Sequence, residues 1–362
     1  MVSDAPDFSR LKRALVVKLR HHGDVLLASP VFTALKQHAP HLEVDALVYD
    51  ETRDMLALHP AIDQLHVIGR HWRGTSILQR ALAEWQLWRA LRARRYDLIV
   101  HLTAHPRGAW LARTLGASVS VAPRRSGRWW AWSFTHRHPV VGGGRRHTVE
   151  THLDALRRIG IQPSPEARRL VLEPGDMAQA IVDHRLHDAD LVAGAFVHFH
   201  PASRWQFKCW PASAAASLID ELHRQGHRVI ITAAPSAAER ALVGAIVRAC
   251  TIAPLDWSGT LSLKEMAALS GRAAIFIGVD SAPMHIAAAM KTPVVALFGP
   301  SGEHEWGPWQ VPHRVIASTE HACRPCGLDG CGGGKRSDCL ERLPLAPVLA
   351  AALELLNARG SR

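Results

Sequence analysis

Short apolar runs alternate with helical patterns along most of the chain. "ALVVKL" (Ala14–Leu19) reads as a buried strand, and "LEVDALV", "IDQLHVI" and "YDLIVHL" read as further strands. Between them "PVFTALKQH" reads as a helix with Ser29 as N-cap and Pro30 at its first position. Ser76 to Arg94 reads as a long amphipathic helix. The second half repeats the alternation, with strands at "AGAFVHF", "HRVIITA", "AAIFIGV" and "PVVALFG" and helices at "PASAAASLIDELHRQG", "SAAERALVGAIVRA", "SLKEMAALSG" and "SAPMHIAAAMK". Strands separated by helices pair in parallel, so the pattern predicts an α/β chain with two Rossmann-like sheets facing across a cleft.

The alternation breaks twice. "RRSGRWWAWSFTHRH" (Arg124–His138) is basic, aromatic and without a clear period, and the glycines at 142–144 then lead into a helix, His147–Ile159. "GIQPSPEARRLVLEPGD" is rich in proline and turn residues and marks the interdomain connection. The expected organisation is an N-terminal domain over 1–170, a linker over 171–188, and a C-terminal domain over 189–343 that ends in a cysteine-rich loop. A final helix within 344–362 is a candidate to pack back on the N-terminal domain.

A length of 362 residues suits two domains of about 150–200 residues each. With 48% apolar residues, extended disorder is excluded for most of the chain. The net charge of +11 favours anionic partners: nucleic acid, phosphorylated ligands or an acidic membrane face. The N-terminal stretch lacks the apolar core of a secretory signal, and no run approaches the ~20 apolar residues of a membrane span. A cytoplasmic protein is expected, with peripheral attachment to a membrane face left open.

Two strand-to-helix junctions carry candidate chemistry. In "VKLRHHGDVLLASP", Gly23 permits a tight path and Asp24 stands beyond the strand with Arg20, His21 and His22 beside it. A carboxylate there can take a proton from an acceptor hydroxyl, or it can simply cap a helix. In "IFIGVDSAPMHIAAAMKTPVVALFGP", Asp280 opens a helix whose first N–H groups suit a diphosphate, with His285 one turn beyond Ser281. Asp280 itself either fixes the turn, accepts from a ligand hydroxyl or acts as an N-cap. "HFHPASRWQFKCWP" adds Ser203, Arg204 and Lys208 at the same sheet end; a cation there can neutralise a leaving diphosphate without a metal, or be an ordinary solvated charge.

Cys323, Cys326, Cys331 and Cys339 are spaced either for a tetrahedral zinc that staples a loop or for reduced structural thiols. The arginines and tryptophans of 124–138 suit phosphates and a headgroup boundary, or a loop that tucks its rings inward. Other motifs fail. "GGGKRS" has Arg336 where a P-loop needs Ser or Thr, and there is no G-x-G-x-x-G after the first strand, no H-E-x-x-H and no G-x-S-x-G.

Taken together, "GDVLLASPVFTALKQHAP", "HPASRWQFKCWP", "GVDSAPMHIAAAMKTPVVALFGPS" and "CRPCGLDGCGGGKRSDCL" resemble the family-nine glycosyltransferases, the lipopolysaccharide heptosyltransferases. "RHTVETHLDALRRIGI" and the cysteine segment resemble the heptosyltransferase III branch. The resemblance spans residues 12 to 345 or so. It implies a GT-B architecture and an inverting transfer of L-glycero-D-manno-heptose from ADP-heptose to the lipopolysaccharide inner core, at the cytoplasmic face of the inner membrane, with no cofactor. The family's base falls on Asp24, its diphosphate-binding lysine on Lys208, its nucleotide-binding acid on Asp280 and a ribose-contacting glutamate on Glu239. Ser203, Arg204, Ser281, Ala282 and His285 complete the donor side; relatives often carry Thr-Gly where this chain has Ser281-Ala282. Arg20, His21, Arg124 and Arg128 are assigned to the acceptor. Two alternatives remain: another GT-B enzyme such as a nucleotide-sugar epimerase, and a nucleic-acid-binding protein. Against the latter, the basic residues look dispersed and no nucleic-acid module is present.

Overall fold

Apolar runs of the first half become the inner strands of a parallel sheet because both of their faces are covered. A computed structural model of the chain describes residues 4–69, 76–140 and 146–360. The glycines at 142–144 lie outside them. Two units divide the chain, Met1–Glu173 and Pro174–Arg362. In the first, β1 (Arg13–Val17), β2 (Glu43–Tyr49), β3 (Gln64–Ile68), β4 (Leu98–His101), β5 (Val119–Pro123) and β6 (His136–His138) form one sheet in the order β3-β2-β1-β4-β5-β6. All pairs are parallel, with Val16 of β1 opposite Ala46 of β2 and Val100 of β4.

The second unit repeats that order. Its strands are β7 (Phe196–His200), β8 (Arg228–Ile231), β9 (Leu255–Asp256), β10 (Ile275–Val279), β11 (Val294–Phe298) and β12 (His313–Ala317), arranged β12-β11-β10-β7-β8-β9. In each unit the strand order reverses beside the first strand: between β1 and β4, and between β7 and β10. Doubly wound sheets bind ligands at this switch point, outside the carboxyl ends of the strands.

Several expectations change. Residues 171–188 are not a free linker: Asp176–Asp188 is a helix that buries Ala178, Val182 and Leu186 and packs on helix Leu263–Arg272. Its buried positions recur every four residues among polar ones, and Gly175 stands at its N-cap. The final helix, Leu345–Gly360, spends apolar positions within the second unit. Val348, Ala351, Ala352 and Leu355 join Trp210, Leu218 and Val295 in the second unit's core. The Trp210 indole donates to the Leu343 carbonyl at 3.0 Å, which ties the chain before that helix to the "WP" turn.

Ile77–Arg94 forms as the pattern predicts. Ser76 and Gln79 close a capping box at its start. Its other end is anchored by Arg94, whose Nε donates to the buried Asp45 carboxylate at 2.8 Å, beside the Tyr96 hydroxyl at 2.7 Å. The burial differs from expectation: Leu91 is the buried residue of this helix, whereas Ile77, Leu78, Leu82 and Trp85 are exposed. The basic segment also folds more regularly than its pattern suggests, as helix Arg128–Ser133 followed by β6, with Trp130 and Phe134 buried against His101.

Gly108, in helix Pro106–Leu115, lets that helix approach β4. A Cβ at this position would stand 1.9 Å from His101 Nε2, and the buried ring cannot yield because it stacks on Phe134 at an interplanar angle of 2°. Gly108→Ala should therefore destabilise the protein by about 1–3 kcal/mol through overpacking. An unchanged thermal midpoint would contradict this packing.

Candidate active site

The first unit's switch point is built around a buried ammonium. Lys18 directly follows β1 and is 5% exposed. Its backbone continues the ladder, donating to the Leu47 carbonyl at 3.1 Å. Its Nζ lies 2.8 Å from His152 Nε2, 3.4 Å from the Leu102 carbonyl and 3.6 Å from Asp24 Oδ1. An isolated ammonium in this position would cost several kcal/mol, and three acceptors offset that cost. The His152 tautomer follows from its partners. Nδ1 lies 3.0 Å from the Leu27 carbonyl, which only accepts, so Nδ1 carries the proton and Nε2 receives the lysine's. Burial, reinforced by Lys18, holds His152 well below the ordinary histidine range, so the ring is neutral.

Asp24 lies in the first turn of a short helix, His22–Leu26, whose N-cap is His21. The capping alternative for Asp24 is thus not realised. The chain stops at Leu26 and restarts as Ser29–His38, so Pro30 falls at the start of a second helix instead of inside the first. Arg20 Nε lies 3.7 Å from the same Asp24 oxygen. A second cationic group surrounds His105 after β4: burial first, then Arg107, Arg125 and Arg20, lower its pKa. Arg124 and Arg128 are exposed. No interaction ties either of them to Asp24 among the described residues.

At the second unit's switch point, Lys208 ends a 3₁₀ turn, Gln206–Lys208, beyond β7, and Asp280 directly follows β10. Lys208 Nζ donates to Asp280 Oδ2 at 2.5 Å. The diphosphate lysine and the nucleotide acid expected from sequence are therefore partners of one another. Ser281 is the N-cap of Ala282–Ala289, with its hydroxyl turned back to the Val279 carbonyl at 3.3 Å, so the cap makes no side-chain bond to the helix N–H groups. His285 is buried on that helix. Ser203 Oγ accepts the Trp205 N–H at 3.3 Å, and Arg204 lies over the Trp205 ring.

Glu239 is buried at the start of helix Ala237–Ala249, where its Oε2 accepts the Ala234 N–H at 3.0 Å. His200 Nε2 stands 4.0 Å from that oxygen, but burial pushes His200 down to about 4, so the pair carries no second charge at neutral pH. His200 belongs to a buried string in which Thr232 joins it to His198, and His198 reaches Ser270 at 3.0 Å.

The cysteine segment is not assembled as a metal site. Among the described residues no three His, Cys, Asp or Glu side chains are placed to hold a metal ion. The loop is fastened by Arg324 instead, which donates to the Gly299 carbonyl at 2.6 Å and pairs with Glu303 at 3.1 Å. Cys339 is the buried thiol of the four, and burial raises its pKa.

Residues 84–333 match the family model for glycosyltransferase family 9 (heptosyltransferase). This chain belongs to that family. It is 35% identical over 295 residues to lipopolysaccharide heptosyltransferase 3 of Escherichia coli, covering 80% of this chain and 84% of the relative. It is 28% identical over 319 residues to lipopolysaccharide heptosyltransferase 1 of Pseudomonas aeruginosa, covering 87% and 86%. Among solved structures, a family 9 glycosyltransferase from Veillonella parvula superposes with a TM-score of 0.83 at 22% identity, over 98% of this chain and all of that one. The E. coli heptosyltransferase WaaC with ADP-2-deoxy-2-fluoro heptose superposes with a TM-score of 0.70 at 21% identity, over 94% and 99%. The two Rossmann-like units thus form the GT-B architecture of a family 9 glycosyltransferase.

In this family 9 enzyme, Lys18 and His152 are the buried neighbours of the candidate base Asp24 that sequence reasoning missed. Burial pushes Lys18 down to about 8 from an ordinary 10.5, against the pull of Asp24. Between those values the unfolded chain still holds a proton that the folded lysine has released, so this group adds stability as pH rises. The stability of wild type relative to Lys18→Met should therefore grow between about pH 8 and 10.5. A difference that stays flat across that window, measured by denaturant titration, would contradict the burial of a charged Lys18.

Proposed function

We propose that this chain transfers L-glycero-D-manno-heptose from ADP-heptose to the inner core of lipopolysaccharide, with inversion at the anomeric carbon. The observation that carries the reading is the 35% identity, over four-fifths of the chain, to a lipopolysaccharide heptosyltransferase 3. The E. coli WaaC structure with a fluorinated ADP-heptose supports the donor class. In this reading the second unit holds the donor, through Ser203, Arg204, Lys208, Glu239, Asp280, Ser281, Ala282 and His285. Arg20, His21, Arg124 and Arg128 serve the acceptor, and the cationic group around His105 adds Arg107 and Arg125 to that side. The acceptor is lipid-borne, so the reaction runs at the cytoplasmic face of the inner membrane.

Asp24 removes the proton of the acceptor hydroxyl as its oxygen bonds to the anomeric carbon. The bond from that carbon to the diphosphate breaks, and ADP departs with the electron pair. Lys208, Arg204 and the N–H groups opening the helix at Ala282 meet the charge that develops, so no metal is needed. Because Lys208 already holds Asp280 at 2.5 Å, the arriving diphosphate finds a positioned ammonium instead of a wandering one.

Incubation with ADP-heptose and a heptose-truncated core acceptor should give ADP and one new heptose of opposite anomeric configuration to the donor, at a rate that EDTA leaves unchanged. No heptose transfer from a folded preparation, or turnover of a different nucleotide sugar only, would overturn the assignment. Lys208→Ala should raise the donor KM and lower kcat/KM by about 10²–10³. A wild-type value would remove its role at the diphosphate.

A further inference from the structure

The positive charge of this protein is concentrated on one side of its first unit. Residues 76–138 carry eleven arginines, no lysine and two carboxylates, Glu84 and Asp97, against a net charge of +11 for the whole chain. Both acids are engaged internally: Glu84 pairs with Arg107, and Asp97 accepts the Lys12 N–H at 2.7 Å. The dispersal read from sequence does not hold for this segment. The connections β3 to β4, β4 to β5 and β5 to β6 all step the same way along the sheet, and right-handed crossovers then place their helices on one face. These are Ile77–Arg94, Pro106–Leu115 and Arg128–Ser133. The Glu84–Arg107 pair and the Arg92 bond to the Thr114 carbonyl join the first two, and the Arg113 guanidinium, 3.4 Å from the centre of the Trp132 ring, joins the second to the third.

Their inward sides fill the core with Leu87, Trp88, Leu91, Leu111 and Trp130. Their outward side is apolar as well. Leu78, Leu82 and Trp85, at i, i+4 and i+7 on one stripe, are 82%, 54% and 50% exposed, and Trp132 is 68% exposed. Trp110 and Trp129 are also exposed, with Trp110 one turn before Arg113. Nothing among the described residues covers this stripe.

We propose that this three-helix face docks on an anionic phospholipid surface, with Leu78, Leu82, Trp85, Trp110, Trp129 and Trp132 entering the headgroup boundary and the arginines among them meeting lipid phosphates. Aliphatic and indole side chains set among arginines match such a boundary. A second copy of the chain would bring arginines against arginines, and nucleic acid has no use for exposed leucines. The proposal deepens the functional reading and rests on it for the lipid-borne acceptor. Its test needs neither donor nor acceptor, so a failure of docking and a failure of the transferase assignment are separable.

The full-length protein is floated with vesicles of phosphatidylethanolamine containing about 30% phosphatidylglycerol, and with neutral phosphatidylcholine vesicles. Wild type should bind the anionic vesicles at least about tenfold more tightly than the neutral ones and release from them as salt rises. The double variant Leu82→Ser with Trp85→Ser should bind about tenfold more weakly, and so should Arg89→Glu with Arg113→Glu, with circular-dichroism melts near wild type. Equal binding to both vesicle types, or undiminished binding by both folded variants, would overturn the proposal. So would a wild-type dimer that these variants convert to monomer without lipid, or duplex DNA binding that they abolish.

Discussion

The first unit turns on one buried ammonium. Lys18 is placed where water cannot solvate it, and it stays there because a neutral imidazole, a carbonyl and a carboxylate surround it. The carboxylate is Asp24, so its position is set by the interaction that makes Lys18 tolerable. Removing His152 or Asp24 would leave a buried charge short of a partner, which costs more than a lost surface ion pair. The Lys18–His152 contact also ties the loop after β1 to helix Thr148–Arg158, which comes from the far end of the unit.

The second unit solves a related problem with the same topology. Lys208 and Asp280 follow β7 and β10, the two strands that flank its switch point, and they hold one another. A lysine fixed in this way loses less conformational freedom when an anion arrives than a free one would. Behind it, the string from Ser270 through His198 and Thr232 to His200 is neutral, because burial pushes His198 to about 3 and His200 to about 4. The charges at the carboxyl end of this sheet are therefore those of Lys208, Asp280 and Glu239 and their exposed neighbours, not of a histidine cluster beneath them.

Much of this was legible in the sequence for a local reason. Asp24 and Asp280 stand just past apolar runs that could only be buried parallel strands, and Lys208 lies in the loop after another. Lys18 was hidden for the same reason: it ends such a run and reads as part of it, while its partner His152 lies 134 residues away. Helix Asp176–Asp188 was masked by Pro174 and Gly175, which look like a break and in fact start it. β6 and β9 are three and two residues long, too short for any period to register. In Ile77–Arg94 the amphipathic pattern announced the helix, but no local pattern says that its apolar N-terminal half stays outside the core.

The central claim is that Asp24 takes the acceptor proton, and replacing it by asparagine tests this with little change of shape. Heptose transfer by Asp24→Asn should fall by about 10³-fold or more, while ADP-heptose binding stays near wild type and the protein stays folded with a lowered melting midpoint, since the amide keeps an acceptor but not the charge opposite Lys18. A folded Asp24→Asn protein that transfers heptose at close to the wild-type rate would contradict the account.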